Sequence, residues 1–191
     1  MSSFVFSFQN LCPRPSRLLA LCALVLSGFM PLAHAGIKVL GAEIGVSTID
    51  QIRQEVSARG PIKNGGTNSW SNGPTLESPG SNYEVQGLQS VLYIFTPEGK
   101  LAGLVMMMGK DRFDEVFDVL AGKYKMVKKE RPFVGNNYAK FSAPDAVIEL
   151  DAPHLSFEME VRYMSNAFAK AWSDGVQARR QQKKSNDKSS F

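Results

Sequence analysis

Residues 90–108, with the sequence SVLYIFTPEGKLAGLVMMM, decide the fold that we expect for this chain. Two apolar runs, 90–95 and 101–108, flank the segment Thr-Pro-Glu-Gly-Lys. Proline sets one backbone angle of a turn and glycine tolerates a positive φ, so this segment is typical of a β-hairpin turn. Both runs are apolar enough for the middle of a sheet. We therefore expect a central hairpin of an antiparallel sheet.

Helical spacing of apolar residues occurs on both sides of this hairpin. Upstream, Ser47 or Thr48 can cap a helix whose apolar positions follow a period of three to four residues. Downstream, residues 111–123 show the same period and end near a glycine. A last helix is expected to begin near residues 165–166. The sequence thus places one helix before each set of strands.

Further strands are expected at 36–44, 124–130 and 138–142, with a second hairpin at 146–164. The last of these strands has the alternation of a sheet with one wet face. Its apolar residues are Phe157, Met159, Val161 and Tyr163, and its charged residues are Glu158, Glu160 and Arg162. We predict an α+β fold, with an antiparallel sheet and helices packed on one face. Both halves run helix, Gly/Asn-rich loop, hairpin, which suggests two α-β-β repeats.

The opening of the first helix also carries a family resemblance. Gly45-Val46-Ser47-Thr48-Ile49 followed by Gly60-Pro61 resembles the glycine, threonine, valine, glycine-proline rhythm of the small outer-membrane assembly lipoproteins of the BamE/SmpA type. The match covers about 17 residues, and the lipid-bearing cysteine of that family is absent. The resemblance implies a small envelope α+β unit and a protein partner.

The N-terminal segment predicts export. Residues 1–35 combine Arg14 and Arg17, an apolar run over 18–30 and the ending Ala-His-Ala, which are the three parts of a cleavable signal peptide. The alternative is an uncleaved membrane anchor, but a spanning helix needs roughly 20 apolar residues. No cysteine stands at the cleavage point. We expect an unlipidated, periplasmic or secreted protein with no transmembrane segment in the mature chain.

Cleavage would change the composition of the working protein. Both cysteines of the chain lie before residue 36, so the mature domain, predicted at 36–175, would hold no thiol. The region 176–191 carries five basic residues and one acidic residue, whereas 36–175 is slightly acidic. This polar end predicts a basic disordered tail, either solubilising or an electrostatic tether to anionic lipid. Nucleic acid is not an expected partner.

The long connection 61–82 is the least ordinary stretch of the chain, because loops of this length are usually functional or disordered. An aromatic ring beside amide and hydroxyl groups could stack on a sugar or anchor a protein partner. Inward packing of the tryptophan is the structural alternative. The candidate ligand or partner residues are Asn68, Trp70, Asn72 and, in the matching loop of the second half, Tyr138.

A second candidate site is acidic. Two neighbouring strands of the 146–164 hairpin could bring carboxylates to one face beside the single histidine of the mature chain. Such a group could hold a divalent cation or act as acid and base, or it could be solvated and offset by Lys128, Lys129 and Arg162. The candidate metal residues are Glu149, Asp151, His154, Glu158 and Glu160.

These observations favour a binding protein over an enzyme. The chain has no nucleophile-elbow motif and no phosphate-binding glycine loop with its lysine, and no cofactor is expected. Our first hypothesis is a non-enzymatic exported binding or accessory protein of the bacterial periplasm or envelope that acts through a macromolecular partner. The alternatives are a carbohydrate- or peptidoglycan-binding module using the Trp70 loop and a metal-dependent enzyme using the 149–160 hairpin.

Overall fold

An eight-stranded antiparallel sheet forms the middle of the protein in the computed structural model, which describes residues 36–189. The predicted signal peptide, 1–35, lies outside the described residues. The bounds of the elements within 36–189 are β1 Lys38–Val39, β2 Ala42–Glu43, α1 Ile49–Ser57, β3 Lys63–Thr67, β4 Pro74–Pro79, β5 Leu88–Phe95, β6 Leu101–Gly109, α2 Phe113–Lys123, β7 Lys125–Glu130, β8 Asn137–Ser142, β9 Ala146–Ala152, β10 Glu158–Ser165 and α3 Asn166–Ser189.

The order of the strands shows an internal repeat. Across the sheet they run β3-β4-β5-β6-β10-β9-β8-β7, so each half is a four-stranded meander that begins at an edge and ends at the centre, where β6 pairs with β10. Each edge pair also carries a register shift after its second residue pair, between Asn64 and Gly66 in β3 and between Met126 and Lys128 in β7. The repeat is therefore a helix followed by four strands, longer than the predicted α-β-β unit.

The predicted central hairpin is confirmed as β5 and β6. Consecutive side chains of each strand point to opposite faces of the sheet, as in any pleated strand. On the face toward the helices, Val91, Tyr93 and Phe95 are buried. Across the pair, Tyr93 lies opposite Leu104 and Val91 opposite Met106. This hairpin and β10 supply most of the buried face of the sheet.

The first two helices cover that face. Thr48 caps α1 through a capping box, because its Oγ1 accepts from the Gln51 N–H at 3.3 Å while Oε1 of Gln51 accepts from the Thr48 N–H at 2.9 Å. Ile52 of α1 and Phe117 of α2 then pack into one core with the sheet. The predicted α+β fold with helices on one face of an antiparallel sheet holds for α1 and α2.

The third helix lies on the opposite face. Phe168 of α3 packs with Ile94 and Met164 in a smaller cluster, and a Cβ atom on Gly103 would lie 3.0 Å from the Phe168 ring. The alternation along β5 and β10 puts these residues on the face away from α1 and α2. α3 lies across the middle of this face, since its cluster includes Ile94 and Ala102 of the first half and Val147 and Met164 of the second.

Two predicted irregular segments are ordered elements. The connection 61–82 holds β3 and β4, whose glycines and prolines suit an edge strand with a bulge and its partner. The tail predicted to be disordered from residue 176 continues α3 as far as Ser189. Its glutamines, arginines and lysines are good helix formers, and propagation from a packed first turn adds residues without a new nucleation step.

Candidate functional site

The predicted Trp70 site lies in the turn between β3 and β4 and is occupied by α3. The Trp70 ring meets Trp172 edge to face at 5.5 Å between centroids, and the guanidinium carbon of Arg179 lies 4.0 Å from the Trp70 centroid. A Cβ atom on Gly175 would overlap the ring. Trp70 therefore contacts α3 at positions 172, 175 and 179, the spacing of one helical stripe.

The two asparagines of this turn shape the backbone. Oδ1 of Asn68 accepts hydrogen bonds from the N–H groups of Trp70 at 2.9 Å and Ser71 at 3.0 Å, and Asn72 has a φ of 56°. Tyr138 lies on β8, in the other half of the sheet. The structure thus brings Asn68, Trp70 and Asn72 together but leaves Tyr138 apart from them. The proposed sugar-stacking role of Trp70 stays a prediction.

The predicted acidic site is organised around an arginine. Arg162 lies opposite Glu149 across the β9–β10 ladder, and Glu160 lies opposite Asp151. Nitrogens of the Arg162 guanidinium lie 2.6 Å from Glu160 Oε2, 3.0 Å from Asp151 Oδ2 and 3.6 Å from Glu149 Oε2. Three of the five predicted metal residues therefore surround one cation, the mostly buried Arg162.

The surroundings of Arg162 stabilise its charge. Its side chain is 12% exposed, and its guanidinium carbon lies 5.6 Å from the centroid of the Trp172 ring. Burial acts to lower the pKa of Arg162, but the carboxylates of Glu160 and Asp151 outweigh it and raise that pKa. Beside it, burial and the Glu149 carboxylate raise the pKa of Tyr138. We define these residues, Tyr138, Glu149, Asp151, Glu160 and Arg162, as the charged face.

The other two predicted metal residues lie away from the charged face. His154 is in the β9–β10 turn, where its N–H donates to Oδ1 of Asn136 at 2.8 Å. Glu158 is exposed at the start of β10, with its N–H bonded to Ser156. Within residues 36–189 no three His, Cys, Asp or Glu side chains are arranged to hold a metal ion. The structure thus brings Glu149, Asp151 and Glu160 together around Arg162 and leaves His154 and Glu158 apart from them.

A feature that the sequence prediction missed lies at the end of the sheet opposite Trp70. Large apolar side chains stand in solvent on two adjacent hairpin turns, residues 131–136 and 153–157. These side chains, which we call the tip cluster, are Phe133 (104% exposed), Val134 (67%), Leu155 (94%) and Phe157 (94%). Hydrophobic residues are scattered singly on most surfaces, but a group of four large ones on neighbouring turns marks an interaction site.

Backbone contacts hold the two turns of the tip cluster together. The bond from His154 N–H to Asn136 links one turn to the other. Nζ of Lys110 donates to the carbonyl oxygen of Pro153 at 2.6 Å, and the Lys110 N–H donates to the carbonyl oxygen of Phe157 at 2.8 Å. The apolar side chains thus project from a braced platform.

The prediction for Phe157 was wrong in its position. The alternation over 156–164 placed Phe157 on the buried face with Met159, whereas β10 begins at Glu158 and Phe157 belongs to the turn. The alternation of apolar and charged residues in β10 continues into Phe157, the last residue of the turn, so the sequence pattern does not mark where the strand begins. The signal that could have identified the tip cluster is chemical: apolar residues at turn positions, where polar residues are the rule.

Comparison with protein-family models, with curated proteins and with solved structures finds no match for this chain. The resemblance to BamE/SmpA-type proteins therefore stays a prediction. Among the described residues, the helices are all too short or too polar to cross a bilayer.

Proposed function

We propose that this chain is a non-enzymatic binding protein of the bacterial periplasm or envelope that acts through a protein partner, and that the tip cluster makes the contact. The single observation that carries the proposal is the exposure of Phe133, Leu155 and Phe157, each of which is at least 94% exposed. Burying one such side chain is favourable by roughly 1.5–3 kcal/mol. This free energy is unused in the folded monomer and is available to a partner.

The charges around the tip cluster favour a protein partner over an anionic surface. Arg131 pairs with Asp114 at 2.7 Å, and Lys128 pairs with Glu130 at 2.6 Å. Arg112 is likewise paired with a carboxylate of α2. An apolar centre inside a polar rim is the anatomy of a protein–protein interface. A membrane-binding tip would need unpaired basic residues instead.

The bracing of the two turns supports the same function. Ordering a loop on binding costs affinity, so a contact surface that is fixed beforehand binds more tightly than a mobile one. The hydrogen bonds from Lys110 and His154 fix the backbone that carries Leu155 and Phe157. Aromatic side chains on such a platform are typical of interface hot spots.

The test compares two immobilised forms of the protein as baits for envelope extract. One is the wild type, and the other carries Phe133→Ser and Phe157→Ser, which remove apolar surface and leave the backbone bonds in place. We expect a protein that the wild type retains in stoichiometric amount and that the double variant retains at least tenfold less. A matched control, Val119→Ser, changes an exposed apolar residue of α2 that is 51% exposed and should retain the partner fully.

Two outcomes would contradict the proposal. Equal retention of the partner by the wild type and by the Phe133/Phe157 variant would mean that the tip cluster does not contact the partner. Retention of both forms on purified cell-wall sacculi, abolished by Trp70→Phe, would instead support the carbohydrate-binding alternative.

A further inference from the structure

The exposed half of α3 is a second surface, far from the tip cluster. A helix of 24 residues is about 36 Å long, and only its first part packs on the sheet through Phe168 and Trp172. Every residue from 177 to 188 is exposed. This projecting segment begins at the end of the sheet that carries Trp70, whereas the tip cluster lies at the other end. It is therefore independent of the proposed partner site.

The charges of the projecting segment lie on one side of the helix. At 100° per residue, its basic side chains fall within an arc of about 180°, and the remaining arc holds alanine, glutamine, serine and asparagine. We call the basic side chains the basic stripe: Arg179, Arg180, Lys183, Lys184 and Lys188. Asp187 is the single acidic residue in the same arc. None of the ion pairs formed within residues 36–189 neutralises the basic stripe.

The contact with Trp70 fixes the direction in which the basic stripe points. Trp70 packs along α3 from Trp172 through Gly175 to Arg179, and Nη2 of Arg179 lies 3.4 Å from Oγ of Ser69. These contacts come from the turn between β3 and β4, so the helix leaves the sheet at a defined angle. A residue that the sequence presents as a binding platform therefore acts as the support for another surface.

We propose that the basic stripe binds the anionic headgroups of a phospholipid bilayer. Its charges are spread over one side of an exposed helix and enclose no pocket, which suits an array of phosphates more than a single anion. The segment 177–188 contains no aromatic residue, so it lacks the stacking side chains of single-strand nucleic-acid sites. Clusters of four to eight lysines and arginines on a helix are the usual size of such lipid contacts.

The experiment measures sedimentation of the purified chain with vesicles. One set contains phosphatidylcholine alone, and the other contains phosphatidylcholine with 30% phosphatidylglycerol. We expect binding to the anionic vesicles, at least tenfold weaker binding to the neutral ones, and strong weakening by salt. The variant Lys183→Gln/Lys184→Gln should lower the affinity for anionic vesicles about tenfold. The matched control, Lys128→Gln/Lys129→Gln, makes the same change in net charge on β7 and should lower it less than twofold.

Three results would overturn the proposal. One is an equal effect of the two double variants, which would mean that net charge alone drives binding. Another is equal binding to neutral vesicles. The third is tighter binding to a 20-base-pair DNA duplex than to the anionic vesicles at the same salt concentration, which would assign the basic stripe to nucleic acid. All exchanged lysines lie on exposed positions, so circular dichroism should show both double variants folded.

Discussion

The two halves of the sheet are alike on the face that meets α1 and α2 and different on the opposite face. In the first half, that opposite face is apolar at Ile94 and is covered by α3, whose Trp172 and Gly175 hold the Trp70 turn. In the second half α3 packs on Val147 and Met164, its Trp172 lies against Arg162, and the rest of this face carries the carboxylates around Arg162. The turns differ likewise, since Trp70 packs against α3 and the tip cluster is exposed.

This difference accounts for the position of the proposed partner site in a repeated unit. A two-fold repeat makes two equivalent sets of turns, one at each end of the sheet, but the described chain has one α3 to cover them. The covered turn supports the fold, and the uncovered turns can keep apolar residues for a partner. Four sets of substitutions test this comparison, from the largest expected effect to the smallest.

Arg162→Met should destabilise the protein most, by about 3 kcal/mol at pH 7. It leaves the partly buried carboxylates of Glu149, Asp151 and Glu160 facing one another without their cation. Urea unfolding at pH 7 measures the loss. Lys140→Met is the control, because Lys140 makes one pair, 3.3 Å from Glu149, and is 35% exposed; its loss should stay below about 1 kcal/mol. Equal losses would mean that Arg162 does not organise the charged face.

Trp70→Ala should cost about 2 kcal/mol of unfolding free energy, because it removes the ring that packs between Trp172 and Gly175. Phe157→Ala, a change of comparable size in the tip cluster, should alter stability by no more than about 0.5 kcal/mol, since the side chain is 94% exposed. Thermal and urea unfolding measure both. A loss for Phe157→Ala as large as that for Trp70→Ala would end the distinction between a covered and a bare turn.

Gly175→Ala should destabilise by about 1–2 kcal/mol although alanine is the better helix former, because its Cβ would displace the Trp70 ring. Gly122→Ala is the matched control on α2, where a Cβ atom meets nothing within 4 Å, and it should stabilise by about 0.5 kcal/mol. Hydrogen exchange of residues 177–188 should rise in the first variant alone. Unchanged exchange would show that Trp70 does not fix α3.

Unfolding at high pH tests the face of the sheet that meets α1 and α2, on which the two halves are alike. Burial raises the pKa of Tyr93, with a further contribution from its hydrogen bond to Tyr83, and burial also raises the pKa of Tyr163. Unfolded tyrosine loses its proton near pH 10 while these two keep theirs, so stability is intact below pH 10 and falls as the pH rises above it. Tyr93→Phe and Tyr163→Phe should each reduce the loss between pH 9 and 11 by about 1 kcal/mol. Unequal reductions would mean that the buried faces of the two halves differ at these tyrosines.

The sequence predicted the elements whose local signals agree with their environment. The hairpin of β5 and β6 has both its turn residues and its apolar runs in 90–108, and Thr48 carries its cap in the sequence. The features that the sequence could not predict depend on contacts between residues that are distant in the chain. Trp70 lies in a polar turn, and only the arrival of Gly175 from 105 residues later makes it a support for α3.

The candidate sites show the same limit. Sequence alternation placed Glu149, Asp151, Glu158 and Glu160 on one face and named Arg162 as an offsetting charge. The register of β9 with β10, which the sequence does not give, sets Arg162 opposite Glu149 and leaves Glu158 at the strand end. The tip cluster escaped prediction because Phe157 continues the pattern of β10 by one residue. Whether such a residue begins a strand or ends a turn is set by the β9–β10 turn, whose length the period-2 pattern does not report.

Site-directed photocrosslinking tests the central claim most directly. A photoreactive phenylalanine analogue replaces Phe157 in the tip cluster and, in a separate protein, Val119 on α2, another exposed apolar position. In cells that produce the protein, we predict a discrete adduct with one protein from position 157 and at least tenfold less from position 119. Equal yields at the two positions, or a diffuse set of adducts at both, would contradict the assignment of the tip cluster as the partner site.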